Sequence, residues 1–463
     1  MSPWSEINVM RRADRLTTPM LLGAAMLAAC LAAAADATAG AEPAVALTYR
    51  RFDVVDEDGR VAKLEPVHSG DLPRWASGVS QAEYQWPARD PKSPYFSPPI
   101  PFVIPPATGS PEPFHPHNHC PALAWLPNGD LLAIWFSTIQ EQGTEMTILA
   151  SRLRGGAESW DAAAEFFKAP RRNMTGSSLF YDEASGLLHH LNGMGREDVE
   201  GWDDLALLHR SSRDSGVTWS PPRPVSSCAA YQRRHQVIAG LSRTRAGVLL
   251  QPCDATPAGE GPSTLHVSRD DGRTWSDSGG DIRGIHAGVV ELTAGRLLAL
   301  GRGQAIDGHM PMSLSDDLGR TWRHSPAPFP PISSAQRLAV LRLREGPLLL
   351  LSFTGGREGR DGLTFTDAAG RTFEGVGLFA ALSYDEGQTW PRRKLLTCGE
   401  ASYEVGPYFG AKVRRAPVVR TTPTRAETEG YLAVTQSPDG VIHLLSSRLH
   451  YRFNLAWLET PAP

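Results

Sequence analysis

Six places along the chain, each just before an apolar run, carry groups able to hold an anion or move a proton. They are His119, Arg172 or Asn173, Arg234 or His235, His286, Arg337, and Glu429 or Tyr431. Guanidinium groups bind carboxylates through paired N–H donors, and histidine titrates nearest neutral pH. Such a set suits a sugar bearing a carboxylate. Tyr231 precedes Arg234 and His235 and strengthens that cluster. His115, His117 and His119 alternate, so a strand would place them on one face. Pro116 lies among them and no neighbouring acid completes a metal set, so one histidine is assigned to the site and two to its rim. No metal and no cofactor is expected.

For these groups to meet, repeated elements must converge. A glycine turn followed by an apolar strand recurs at Gly129, Gly186, Gly247, Gly295, Gly346 and Gly440, with an apolar run before each. A second unit, S-x-D-x-G-x-T-W, occurs at Ser212–Trp219, Ser268–Trp275, Ser315–Trp322 and Ser383–Trp390, with a degenerate copy at Ser151–Trp160. Its Ser and Asp side chains can bond backbone N–H groups while Gly supplies a positive φ, so it reads as a hairpin turn. Strand, Gly turn, strand, then strand, Asp turn, strand makes one four-stranded antiparallel sheet. The expectation is an all-β fold, a six-bladed β-propeller of four-stranded antiparallel blades. The innermost strands of a propeller all start on one face, which would bring the six places together.

The Asp units resemble the Asp boxes of the sialidase (neuraminidase) superfamily, whose Asp ties a turn and takes no part in catalysis. That family holds a substrate carboxylate with three arginines and uses a tyrosine nucleophile paired with a glutamate, and an aspartate acid. His286-Ala287-Gly288-Val289-Val290-Glu291-Leu292, closing at Gly301-Arg302, resembles the stretch around the glutamate and second arginine, with His286 in the glutamate's place. Arg337 is similar to the third arginine, and Tyr431 in Gly430-Tyr431-Leu432-Ala433-Val434 to the nucleophile. The first arginine, normally before Ile-Pro, is replaced in His119-Cys120-Pro121.

The resemblance implies an exo-sialidase-type glycosidase. Tyr431 would attack, His286 or His119 would move protons, and Glu141 or, preferably, Glu145 would be the acid. Arg302, Arg337 and Arg234 would hold the carboxylate, and His235, Arg172 and Glu429 would line the substrate. The same groups suit two other outcomes: elimination from a uronic acid, with His286 or His119 as base and Tyr431 as proton donor, and glycan binding without catalysis. Trp135 and Tyr403 are candidates for stacking on a sugar ring.

The chain of 463 residues holds 46 basic and 50 acidic residues, so no basic field for nucleic acid is expected. Residues 1–39 read as an export leader: Arg11, Arg12 and Arg15 precede an apolar run from Met20 to Ala35, and Leu27-Ala28-Ala29-Cys30 resembles a lipoprotein box. A lipid on Cys30 would be the sole tie to a membrane, and the destination is periplasmic, extracellular or lipid-anchored. Residues 40–112 are expected to hold a strand and a wrapping segment, since eleven prolines between Pro87 and Pro116 exclude helix. The propeller is placed at 113–463. Cys120, Cys228, Cys253 and Cys398 fit no zinc spacing and read as disulfides or buried thiols. Thr354–Gly377 is either a loop or an extra hairpin.

Overall fold

In the computed structural model, the described residues are 49–461 apart from 55–60, 68–70, 226–230, 256–260, 356–361 and 410–416. The expected leader, Cys30 and Cys228 lie outside them. Six antiparallel sheets follow one another. The first contains His117–Trp125, Leu131–Thr138, Thr147–Leu153 and Ala164–Phe167, and the second begins with Ser177–Asp182, Leu187–Met194 and Leu205–Ser212. In the third, the inner strand is broken into Gln236–Val237 and Ser242–Arg243, both paired with Leu249–Asp254. The fourth opens with Ile285–Glu291 and Leu297–Arg302, the fifth with Ala339–Arg342 and Leu348–Phe353, the sixth with Ala433–Gln436 and Ile442–Leu445.

Strands in the middle of each blade are covered on both faces, so they read as continuous apolar runs. Leu348–Phe353 is buried at every position. One apolar cluster joins blades four to six through Leu298, Leu350, Phe379, Leu444 and Tyr451, and another joins blades one and two through Ile134, Ile148, Leu188 and Leu208. Burying each such side chain contributes about 2 kcal/mol, so neighbouring blades stabilise one another.

Each Asp box closes a turn between its blade's third and fourth strands. In the second copy Asp270 accepts from Ser268 Oγ (2.9 Å), Thr274 N (2.8 Å) and Thr274 Oγ1 (2.6 Å), while Gly272 N donates to Ser268 Oγ. The residue before the glycine shares its left-handed conformation, Asp271 at φ 56° and Gly272 at φ 83°. The turn thus needs two positive φ values, as in the tight primed hairpin turns.

Blade six carries no Asp box, and its fourth strand comes from the other end of the chain. Phe96–Pro101 pairs with Leu449–Phe453, Phe96 opposite Phe453 and Pro101 opposite Leu449. This strand lies within the proline-rich segment placed outside the propeller by sequence, so the boundary at 113 divides a blade. An outermost strand leaves one edge unpaired and so tolerates Pro98 and Pro99, and the register slips between Ser97 and Ile100. In blade five the 354–377 segment contains an extra hairpin, Leu363–Thr366 with Thr372–Gly375. A short parallel pairing sets Gln336 beside Gly430 and Arg337 beside Tyr431 where blades five and six begin.

Candidate functional site

Tyr431 is the hub of the axial cluster. Its hydroxyl lies 2.9 Å from His286 Nε2 and accepts from Arg302 Nη1 at 2.8 Å. The Arg337 guanidinium stands 5.0 Å from the centre of the Tyr431 ring, and the His119 ring 4.0 Å away. Tyr431, His286, Arg302, Arg337 and His119 are all buried. Each reaches the axis from a blade entrance or, for Arg302, from the inner end of a second strand paired with Ile285.

Two local irregularities aim the histidines. The inner strands of blades one and four both slip register, between His119 and Ala122 and between Ile285 and Gly288. Each slip holds a non-glycine residue at positive φ, Cys120 at 56° and His286 at 52°. A bulge of this kind turns a side chain away from the strand's alternation, at a conformational cost that neighbours must offset. At His286 the offset comes from Asp254, which ends the second strand of blade three. Asp254 Oδ1 accepts from His286 N at 2.7 Å, and Oδ2 lies 2.6 Å from His286 Nδ1.

Burial governs the protonation states. It pushes Tyr431 up to about 12, with the Arg302 charge pulling the other way. It takes His286 down to about 4 against the opposing Asp254 charge, and drives His119 well below the ordinary histidine range. Burial would also raise Asp254, but the charge and hydrogen bonds of His286 outweigh it and hold the carboxyl below its usual range. At neutral pH the cluster therefore holds a phenol, neutral histidines, an aspartate and two arginines.

A second carboxylate lies near the cluster, close enough for its charge to act on Tyr431. Glu141 Oε1 lies 3.0 Å from His117 Nε2, and the Glu141 side chain is 45% exposed. Burial would raise Glu141, yet the His117 hydrogen bond and the nearby His117, His286 and Arg302 charges leave it lowered. Asn173 Nδ2 donates to the carbonyls of Glu141 and Gly143, and Lys168 Nζ to those of Thr144, Met146 and Arg172, fixing the loop beneath it.

The remaining expected site residues do not join this cluster. Glu145, preferred as the acid, uses its Oε1 on Thr138 Oγ1 (2.7 Å) and the Ile139 and Gln140 amides, so it ties the loop while Glu141 is the carboxylate that meets His117. Arg234 is held by Asp277 and Asp281 within the blade-three region, where those carboxylates neutralise it. His235 Nδ1 meets Leu205 O, and Arg172 donates to Tyr231 Oη and Gly195 O, so both brace blade two. Glu429 is buried in the chain just before Tyr431. Trp135 is fully buried, its Nε1 bonded to Asn118, and Tyr403 Oη meets Cys398 Sγ, so neither stands as a sugar platform in the cluster. Cys120, Cys253 and Cys398 are free thiols.

Sequence reasoning passed over Asp254, although a signal was present. Leu249-Leu250-x-x-x-Asp254 has the same form as Leu297-Leu298-x-x-x-Arg302, so the two charges end corresponding strands of adjacent blades.

A closed six-bladed propeller carrying Asp boxes is a sialidase-superfamily BNR-repeat propeller. Residues 129–444 match the family model described as a BNR repeat-like domain, and the chain belongs to that family. A sialidase from Micromonospora viridifaciens is 27% identical over 385 residues, covering 74% of this chain and 52% of that protein. The chain thus spans about half the length of the curated relative it matches. Among solved structures, a Hadza microbial sialidase superposes with a TM-score of 0.52 at 18% identity, covering 73% of this chain and 65% of that one. The intramolecular trans-sialidase from Ruminococcus gnavus superposes at 0.50 and 13% identity, covering 74% and 96%. At such identities the structural likeness concerns the fold.

Proposed function

We propose that the protein is an exported sialidase-type glycosidase acting on glycans that end in a carboxylated sugar. The observation that carries this reading is the Tyr431 hydroxyl, bonded at once to a neutral histidine and to an arginine. Arg302 and Arg337 would orient the sugar carboxylate. Tyr431 Oη would attack the anomeric carbon as its proton passes to His286 Nε2, and the bond to the leaving oxygen would break. The Glu141–His117 pair would pass the proton of its hydrogen bond to that oxygen and regain one from the incoming water, whose attack releases the sugar as the His286 proton returns to Tyr431. The test is release of dye from a fluorogenic sialoside, abolished by Tyr431→Phe.

One observation favours a second reading. His286 stands beside Tyr431 where a sialidase has a carboxylate, and a neutral imidazole paired with a phenol also suits removal of the C5 proton from a uronic acid and protonation of the leaving oxygen. A new ultraviolet band from an unsaturated uronate, without dye release from the sialoside, would select elimination. Binding of the glycan without either product would mark a non-catalytic lectin-like propeller.

A further inference from the structure

The geometry points to Asp254 as the positioning residue that fixes the resting proton of His286 on Nδ1, making Asp254, His286 and Tyr431 a relay in which one proton passes from Tyr431 to His286 Nε2 and back. This rests on the reading of Tyr431 as the attacking group.

The directions of the hydrogen bonds are forced by the groups that make them. A guanidinium only donates, so Tyr431 Oη must accept from Arg302 at 2.8 Å. The single proton of the phenol is then left for His286 Nε2, 2.9 Å away, which must be bare to receive it. At the other end an ionised carboxylate only accepts. Asp254 Oδ1 takes the His286 amide at 2.7 Å and the Ser263 hydroxyl at 3.1 Å, and Oδ2 sits 2.6 Å from Nδ1. The 2.6 Å approach of Nδ1 to Oδ2 is off the line of an ideal hydrogen bond, yet among the described residues neither buried atom has any other partner, so each is the one group that can serve the other. A proton on Nδ1 satisfies both ends of the ring; a proton on Nε2 would set two acceptors against each other at Asp254 and, with Tyr431 Oη then accepting twice, leave the buried phenol proton no acceptor among the described residues.

The same carboxylate therefore does two things to one residue. It binds the His286 amide, stabilising the left-handed backbone that aims the ring, and it binds the ring, selecting the tautomer that can take a proton. During attack the Tyr431 proton moves to Nε2 as the oxygen bonds to carbon, and the imidazolium formed is faced by the Asp254 charge. When water cleaves the glycosyl–tyrosine bond, that proton returns to Tyr431 Oη. Asp254 is never protonated.

The test uses the full-length protein with ¹⁵N-labelled histidine. His286 is expected to show the Nδ1–H tautomer at neutral pH in the wild type. Asp254→Asn presents an amide donor to Nδ1 and should move the proton to Nε2, with kcat on the fluorogenic sialoside falling roughly a thousand- to ten-thousandfold, the scale seen when a catalytic histidine is held in the wrong tautomer. KM should change little. Asp254→Glu keeps an acceptor and should recover part of kcat together with the Nδ1–H signal. Nε2–H in the wild type, or Asp254→Asn with the tautomer unmoved, overturns the proposal. Should the asparagine variant not fold, the wild-type tautomer decides alone. A wild type inert on sialosides but showing Nδ1–H, with the tautomer moved by asparagine, refutes the sialidase reading and leaves the relay intact.

Discussion

Asp254 and Asp270 belong to the same blade and do opposite work. Asp270 sits in an exposed turn, and the protein groups it binds there, Ser268 and Thr274, are near it in the chain. Asp254 is buried at the inner end of a strand and binds Ser263 and, from the next blade, His286. The first carboxylate completes a module that recurs around the ring. The second completes a site built from residues that no local segment contains. Repetition supplies the scaffold here, and the departures from repetition supply the chemistry.

If that division is right, substitutions at the axis and at the rim should separate cleanly. The largest effect is expected at Tyr431→Phe, which should lower kcat on a sialoside more than a thousandfold while thermal unfolding moves by only a few degrees, since one hydroxyl is lost. A large fall in stability with retained turnover would place the tyrosine among the packing residues.

Next comes Glu141→Gln, expected to cost roughly a hundredfold on natural glycosides and far less on substrates with an activated aryl leaving group, which needs no acid. Glu145→Gln should weaken the loop and show no such dependence on the leaving group. Identical profiles for the two variants would dissolve the distinction drawn between them.

Asp254→Ala and Asp270→Ala then contrast the two carboxylates directly. The first leaves a buried amide and a ring nitrogen unsatisfied and should cost about 2–3 kcal/mol in denaturant unfolding. The second should cost about 1 kcal/mol, the order of a lost turn cap, with kcat/KM unchanged. Equal losses in both would erase the contrast.

Acid should act on the buried histidines wherever they lie. Burial holds His189, His266 and His286 down to about 4 and His443 to about 3. Unfolding returns each to an ordinary value near 6.5, so below that pH the unfolded chain binds more protons than the folded one. Stability should fall progressively as the pH drops from about 6.5 to about 4, read as a falling denaturant midpoint, and be nearly flat between about pH 6.5 and about pH 8 as far as these groups are concerned.

How much of this was legible beforehand follows from distance along the chain. Box turns and glycine turns are written within a few residues, so the number of blades and their internal order could be read directly. His286, Arg337 and Tyr431 were legible because repeat position identifies what reaches the axis, whereas Arg302 was named only through the family resemblance of the stretch that closes at Gly301-Arg302. Asp254 needed the further step of comparing the last residues of corresponding strands. Arg234 misled because position in the repeat says nothing about competing partners, and Asp277 and Asp281 capture it. Glu141 and Glu145 share one loop, where no strand alternation dictates direction, so only coordinates tell them apart. The strand Phe96–Pro101 was hidden by its prolines, which forbid a central strand but not an outer edge.

That outer strand has a consequence for how the molecule comes into being. Because Phe96–Pro101 clasps Leu449–Phe453, the hoop of blades can be fastened only after the sixth has been synthesised. Until then the early blades wait with an unmet neighbour and an open seam, and assembly must bridge nearly the whole sequence in one step. A cut at the clasp should therefore loosen the first and last blades together, though they share no segment of chain.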